Sequence, residues 1–208
     1  MILLSEDYLA HYGTPRHSGR YPYGSGKRPQ AAIREHSSSK SVFVSGSSKM
    51  QDAESNYYRK ELPKPISDKL DAYMDSDIKV LVGDAPGIDR QVQDYLNSKG
   101  YDNVRVYGPG SDRPRYLANS KWETKLVDAP EYEPGSKEWL AAKDVRMTED
   151  ADFGLAVILD EGAKATRKNV QRLLNSGKGV EVFQLDSSSA DYDKWVNGKN
   201  VVEDMLRK

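Results

Sequence analysis

The chain has 208 residues, 37% hydrophobic and 30% charged, with no Cys and three His (His11, His17, His36), all within the first 36 positions. Beyond those positions there is neither imidazole nor thiol, which excludes Ser-His-Asp and Cys-His nucleophilic catalysis, thiolate or imidazole zinc sites, and disulfides. Residues 1–40 hold six Lys/Arg against three Asp/Glu, a charge of +3, leaving −4 on the remainder, and an acidic body does not favour nucleic-acid binding.

The length allows one core of roughly 150 to 170 residues and a tail. No apolar run approaches the ~18 residues of a membrane span, and residues 1–10 carry Glu6 and Asp7 where a signal peptide would be basic, so the protein is expected inside a cell. Residues 11–40 are Gly, Pro, Ser, Tyr and Arg with almost no aliphatic residue. Such a stretch buries too little apolar surface to offset its ordering entropy, and residues 1–40 are expected to form a low-order tail. Tyr12, Tyr21 and Tyr23 with Arg16, Arg20, Lys27 and Arg28 would suit stacking and phosphate contacts with nucleic acid, but the same composition suits a solvated linker or a docking peptide, the preferred reading. The run HYGTPRHSGRYPYGSG, under a tenth of the chain, resembles a short N-terminal element of structural and accessory proteins of phages that infect Gram-positive bacteria. That resemblance implies a phage or prophage origin, a place in the cytoplasm of an infected host or in the virion, and a capsid or other protein partner for the tail.

From position 41 short β-branched runs alternate with helical periodicity. Strands are expected over 41–45 (SVFVS), 78–82 (IKVLV), 104–107, 154–159 (GLAVIL) and 180–184. Between them, Ile66, Leu70, Tyr73 and Met74 share a face of a helix entered through Pro65. Ile88, Val92, Tyr95 and Leu96 do the same in a second helix, and Val170, Leu173 and Leu174 in another that stops at Gly177. Trp139, Leu140 and Val145 mark a further helix before the fourth strand. This order predicts an α/β, Rossmann-like doubly wound domain over 41–208: five mostly parallel strands with helices on both faces, which bind ligands beyond their carboxyl ends.

Three loops meet at that rim. The first strand runs into Ser45-Gly46-Ser47, whose amides suit close approach to phosphate or ribose. The second runs into Gly83-Asp84-Ala85-Pro86-Gly87-Ile88-Asp89, where a helix N-terminus faces the ligand position. Asp84 and Asp89 are candidates to accept from ligand hydroxyls or an exocyclic amine, although Asp89 also fits a first-turn carboxylate favoured by the helix dipole. The fourth runs through Asp160, Glu161 and Gly162 into Thr166, Arg167, Lys168 and Asn169, with Thr166 readable either as a ligand hydroxyl or as an N-cap. Arg113, Arg115 and Tyr116 follow the third strand, and an Arg fork suits a diphosphate. Trp122, Tyr132 and Trp139 would stack on a base or anchor the long insert between 108 and 135.

Residues 42–47, 80–89 (VLVGDAPGID), Lys143-Asp144 and 161–169 together resemble the SLOG superfamily of Rossmann-like nucleotide-binding domains, which includes the LOG phosphoribohydrolases and the sensor domain of Thoeris defence effectors. The resemblance spans 41 to about 185 and implies a nucleotide-derived ligand and paired subunits. The hydrolases carry PGGxGTxxE, with the Glu acting on the N-glycosidic bond. Here Glu161 replaces the Pro, Ala163 and Ala165 replace two Gly, and Asn169 replaces the Glu; an amide has no proton to exchange near neutral pH. Lys143-Asp144 would be a charged pair facing the site or a solvated helix face.

The expectation is therefore a binder of an ADP-ribose or cyclic ADP-ribose type ligand that sequesters a host immune signal without catalysis, metal or cofactor. Its candidate contacts are Ser45, Gly46, Ser47, Gly83, Asp84, Ala85, Gly87, Asp89, Arg113, Gly162, Thr166, Arg167 and Asn169. The alternative is a hydrolase of an N-glycosidic or phosphate bond using Asp84, Asp144 or Glu161, and a further one is a virion accessory protein. The stretch 186–208 is expected to close the domain or join subunits.

Overall fold

The computed structural model describes residues 40–47, 62–158, 163–185 and 195–197. Of the expected tail only Lys40 is among them, and Gly162, Asp160 and Glu161 lie outside.

Among the described residues the elements run β1 (Ser41–Gly46), α1 (Lys64–Asp75), β2 (Lys79–Gly83), α2 (Ile88–Ser98), β3 (Val104–Pro109), β4 (Glu123–Val127), α3 (Lys137–Asp150), β5 (Phe153–Ile158), α4 (Lys164–Asn175), β6 (Val180–Leu185) and β7 (Trp195–Asn197). They form one sheet in the order β4-β3-β2-β1-β5-β6-β7. The first six strands are parallel and β7 runs antiparallel at the edge. This is the Rossmann-like doubly wound architecture.

The central strands are apolar on both faces because both faces are covered. Val42 and Val44 of β1 join Val80, Val82, Val104 and Val106 under Ile66 and Leu70 of α1 and Ile88, Val92 and Leu96 of α2. Phe43 points the other way, to Leu81, Tyr107, Met147 and Leu173. Full burial of each aliphatic side chain in such a core contributes about 1.5 to 3 kcal/mol.

One expectation is corrected. The sheet has six parallel strands rather than five, because the insert supplies β4. Its sequence ETKLV is half polar since it is an edge: Glu123 takes ion pairs from Lys79 and Arg105, both at 2.7 Å, and Lys125 reaches Asp150 at 2.6 Å. These pairs tie β4 to β2, β3 and α3, so charge does for this strand what apolar alternation does for the others. Helix α3 forms where Trp139, Leu140 and Val145 placed it, but other residues make its buried face. Its buried residues are Lys143, Met147 and Thr148, whereas Val145 is exposed and Trp139 and Leu140 are half-buried. A helix that buries a lysine lacks a clean apolar stripe.

No helix among the described residues is long and apolar enough to cross a membrane.

Candidate functional site

The strand order reverses at β1. Its chain leaves toward β2 on one side, whereas the chain leaving β5 proceeds to β6 on the other. Loops that part in this way open a crevice beyond the carboxyl ends of the two strands. A cleft of about 290 Å³ lies there, lined by Ser45, Gly46 and Ser47 from the end of β1, Ala85 and Asp89 from the approach to α2, Lys143 and Asp144 from α3, and the start of α4. Phe43 forms part of its wall.

Local packing brings these groups together. The Ile88 amide donates to Ser47 O at 3.1 Å, and the Ser47 amide donates to Val157 O at 3.3 Å, tying the end of β1 to both α2 and β5. Gly46 is required for this closeness, since a Cβ there would lie 2.5 Å from the Ile88 side chain. On the other face Gly83 leaves room for a buried charge pair. A Cβ at Gly83 would stand 2.5 Å from Lys143 Nζ and closer still to Asp89 Oδ2.

Lys143, only 5% exposed, is the centre of the cleft's charge cluster. Its ammonium donates to Asp144 Oδ1 at 2.8 Å and stands 3.7 Å from Asp89 Oδ2, beyond ordinary hydrogen-bond length. Asp89 Oδ2 accepts from the Ala85 amide at 3.3 Å. Burial pushes the Asp89 carboxyl up to about 6; Lys143 opposes the rise and Asp144 adds to it. Burial also acts to lower the Lys143 ammonium, but Asp144 and Asp89 outweigh it and hold the group above its ordinary value. Lys143 is thus a permanent cation shared by two carboxylates.

Asn169 continues the cluster on α4. Its amide Nδ2 donates to Ser45 Oγ at 2.9 Å and to Asp144 Oδ2 at 3.2 Å, and its Oδ1 accepts from Arg172. Only a side chain with both a donor and an acceptor satisfies this set, so Asn169 is fitted to its place as an amide. Thr166 is different. It is 1% exposed and lines the cleft. It is not the N-cap of α4: Ala163 holds that position, without a side-chain cap and with no acidic residue in the first turn. The positive end of the α4 dipole lines the cleft with no acidic residue in the helix's own first turn to offset it.

Eight sequence candidates share this cleft: Ser45, Gly46, Ser47, Ala85, Asp89, Asp144, Thr166 and Asn169. Asp84 does not line it. Its side chain is fully buried and accepts from Arg115 Nη2 at 2.6 Å, Nε at 3.1 Å and the Arg115 amide at 2.8 Å. Those bonds fasten the insert to the end of β2. Gln93 works beside it, donating to Gly83 O at 2.8 Å while accepting from the Ala118 amide at 3.0 Å. Gly83, Gly87, Arg113 and Arg167 are also absent from the lining, and Arg113 is exposed in the insert. Trp122 is an anchor, 4% exposed with its indole N–H donating to Tyr101 O at 3.0 Å. Neither Tyr132 nor Trp139 reaches the cleft.

Sequence reasoning left Lys143 outside the expected contacts, along with Phe43, Ala163, Lys164 and Ala165. A lysine in a mixed helix gives no signal of burial, because burial here follows from partners on α2 and α3 that only folding brings close. Among the described residues no group of three or more His, Cys, Asp or Glu is arranged to hold a metal ion.

No protein-family model matches the chain, and no curated protein matches it.

Proposed function

We propose that the chain binds a nucleotide-derived ligand of the ADP-ribose or cyclic ADP-ribose type in the β1/β5 cleft and holds it without chemistry. The observation that carries the reading is Thr166. A hydroxyl buried in the cleft wall, in the first turn of a helix that has no side-chain cap and no acidic residue there, is complementary to a phosphate. Across the cleft Asp89 and Asp144 offer acceptors for ribose hydroxyls or an exocyclic amine. At about 290 Å³ the cleft is near the lower end of ligand sites, which fits one nucleotide half enclosed and the other at the mouth.

Asn169 supports binding without catalysis. It occupies the position of the hydrolases' Glu in the SLOG-like reading, and its hydrogen bonds to Ser45, Asp144 and Arg172 make it a positioning amide. Together with the phage-type tail, this fits a protein that sequesters a host nucleotide signal and needs affinity alone. Sub-micromolar binding requires only about −8 kcal/mol.

The test is retention. Purified full-length chain is incubated with ADP-ribose and its cyclic derivatives, freed of unbound nucleotide and then heat-denatured. Release of intact ligand is expected; retention of none of them refutes the reading.

Hydrolysis of an N-glycosidic or phosphate bond is a second reading, favoured by one observation. Asp89, with a carboxyl pushed up to about 6 in the cleft, titrates where an acid/base group works best. Excess nucleotide incubated with catalytic protein separates the two, since free base or ribose phosphate accumulates only under the second.

A further inference from the structure

We propose that ligand binding in the β1/β5 cleft is coupled to proton uptake at Asp89, so that the cleft takes an anionic ligand tightly in mildly acidic solution and releases it as the pH rises. The inference rests on the reading of the cleft as a nucleotide site and adds how that site is regulated.

One ammonium, Lys143, serves two carboxylates, and they are not served equally: Asp144 has a direct bond at 2.8 Å, whereas Asp89 stands off at 3.7 Å. Asp89 is 7% exposed, so water does little to screen it. Among the described residues Lys143 is the cation that pairs with Asp89. Asp84, which follows β2, is neutralised by Arg115 of the insert. From α4, Arg172 is bound to Asn169 Oδ1, and Lys164 lines the cleft without an ion pair to Asp89. Lys49, Arg59, Lys60, Asp160 and Glu161 lie outside the described residues. With Asp89 ionised, the cluster of Asp89, Lys143 and Asp144 carries one excess negative charge against the wall that an anionic ligand must approach.

A proton on Asp89 removes that charge and converts the group into a donor. The bound anion in turn raises the carboxyl's affinity for the proton, and by linkage the proton raises the affinity for the anion. The amino-acid composition isolates the effect. No His and no Cys occur beyond position 36, so a binding step that titrates between pH 5.5 and 8 has only His11, His17, His36, an α-amino group or a perturbed side chain to come from.

ADP-ribose is a suitable probe because its diester-linked phosphates keep a constant charge through that window. Its dissociation constant is measured by calorimetry with the full chain from pH 5.5 to 8. The expected result is a loss of affinity that approaches tenfold per pH unit, amounting to at least about tenfold between pH 6 and 8. Asp89→Asn should bind with a nearly constant affinity close to the wild-type value at low pH. Asp144→Asn should free Lys143 to pair with Asp89 and move the midpoint to lower pH; this variant decides the matter if Asp89→Asn does not fold. A carbon-13 titration of the ligand-free chain should show one carboxyl titrating near pH 6 that disappears in Asp89→Asn. ADP-ribose binding that is flat with pH overturns the coupling and leaves the binding reading standing. A pH dependence that survives in Asp89→Asn, or an unmoved midpoint in Asp144→Asn, also overturns it. Failure of ADP-ribose to bind at any pH removes both.

Discussion

Replacing Gly83 with Ala tests whether the charge cluster, rather than backbone geometry, dictates the residue at the end of β2. Gly83 is not in the left-handed region, so Ala meets no conformational barrier there. On propensity alone the change should stabilise a strand by roughly 0.5 to 1 kcal/mol. The added methyl, however, would stand 2.5 Å from Lys143 Nζ and closer to Asp89 Oδ2. Both atoms are ends of long side chains, yet neither swings freely, because Lys143 is bonded to Asp144 and Asp89 to the Ala85 amide. Overpacking of this kind costs about 1 to 3 kcal/mol, and the expected net loss is about 1 to 2 kcal/mol, a fall of roughly 2 to 8 °C in Tm for a domain of this size. Gly179→Ala is the control, since a Cβ there meets nothing within 4 Å and the backbone is again unremarkable; it should be neutral or slightly stabilising. In an Asp89→Ala background the penalty at Gly83 should shrink, which chemical denaturation of all four members of the cycle would measure. A Gly83→Ala protein as stable as wild type, or a penalty unchanged without the Asp89 carboxylate, refutes the account.

Other outcomes follow from the same contacts. Arg115→Ala should destabilise by about 3 to 5 kcal/mol, because it leaves the Asp84 carboxylate buried and unpaired. Arg115→Lys, which keeps the charge but not the fork, should recover only part of that loss in urea unfolding. Asp89 should make stability fall as pH rises: both states hold the proton below 3.8, the folded state alone holds it between 3.8 and about 6, and above that the full cost of about 3 kcal/mol is present. The stability of Asp89→Asn relative to wild type should therefore climb between pH 4 and pH 7, and a constant difference would contradict the shifted carboxyl. Asn169→Glu should lower stability by about 1 to 3 kcal/mol without producing nucleotide hydrolysis, since a carboxylate cannot donate to Ser45 or Asp144; product on a chromatogram would overturn this.

Much of the fold was legible because it depends on short-range pattern. Both-face burial writes β-branched residues into β1, β2 and β5, and the helical period is clear in α2, where Ile88, Val92 and Leu96 are all fully buried. The loop after each such strand had to end at one rim, so Ser45, Asp89, Thr166 and Asn169 were identifiable before their distances were known. The edge strand β4 escaped notice because ion pairs, not apolar alternation, hold it. Helix α3 was expected, but no pattern in its residues signalled that its buried face centres on a lysine.

Asp84 and Asp89 mark where sequence stops. They are five positions apart and of one residue type, one in the loop after β2 and one in the first turn of α2, and both were candidates to accept from a ligand. Arg115, 31 positions after Asp84, takes the first into a buried fork. Lys143 meets the second in the cleft but leaves it short of a full partner, since Asp144 stands nearer. The alternation of strands and helices, the strand-end rim and the absence of imidazole and thiol beyond position 36 were legible in the amino-acid sequence. Which carboxylate is neutralised and which lines the cleft was decided only by tertiary structure, because each carboxylate's surroundings are set by the nearest cation, and both cations here come from elements far along the chain.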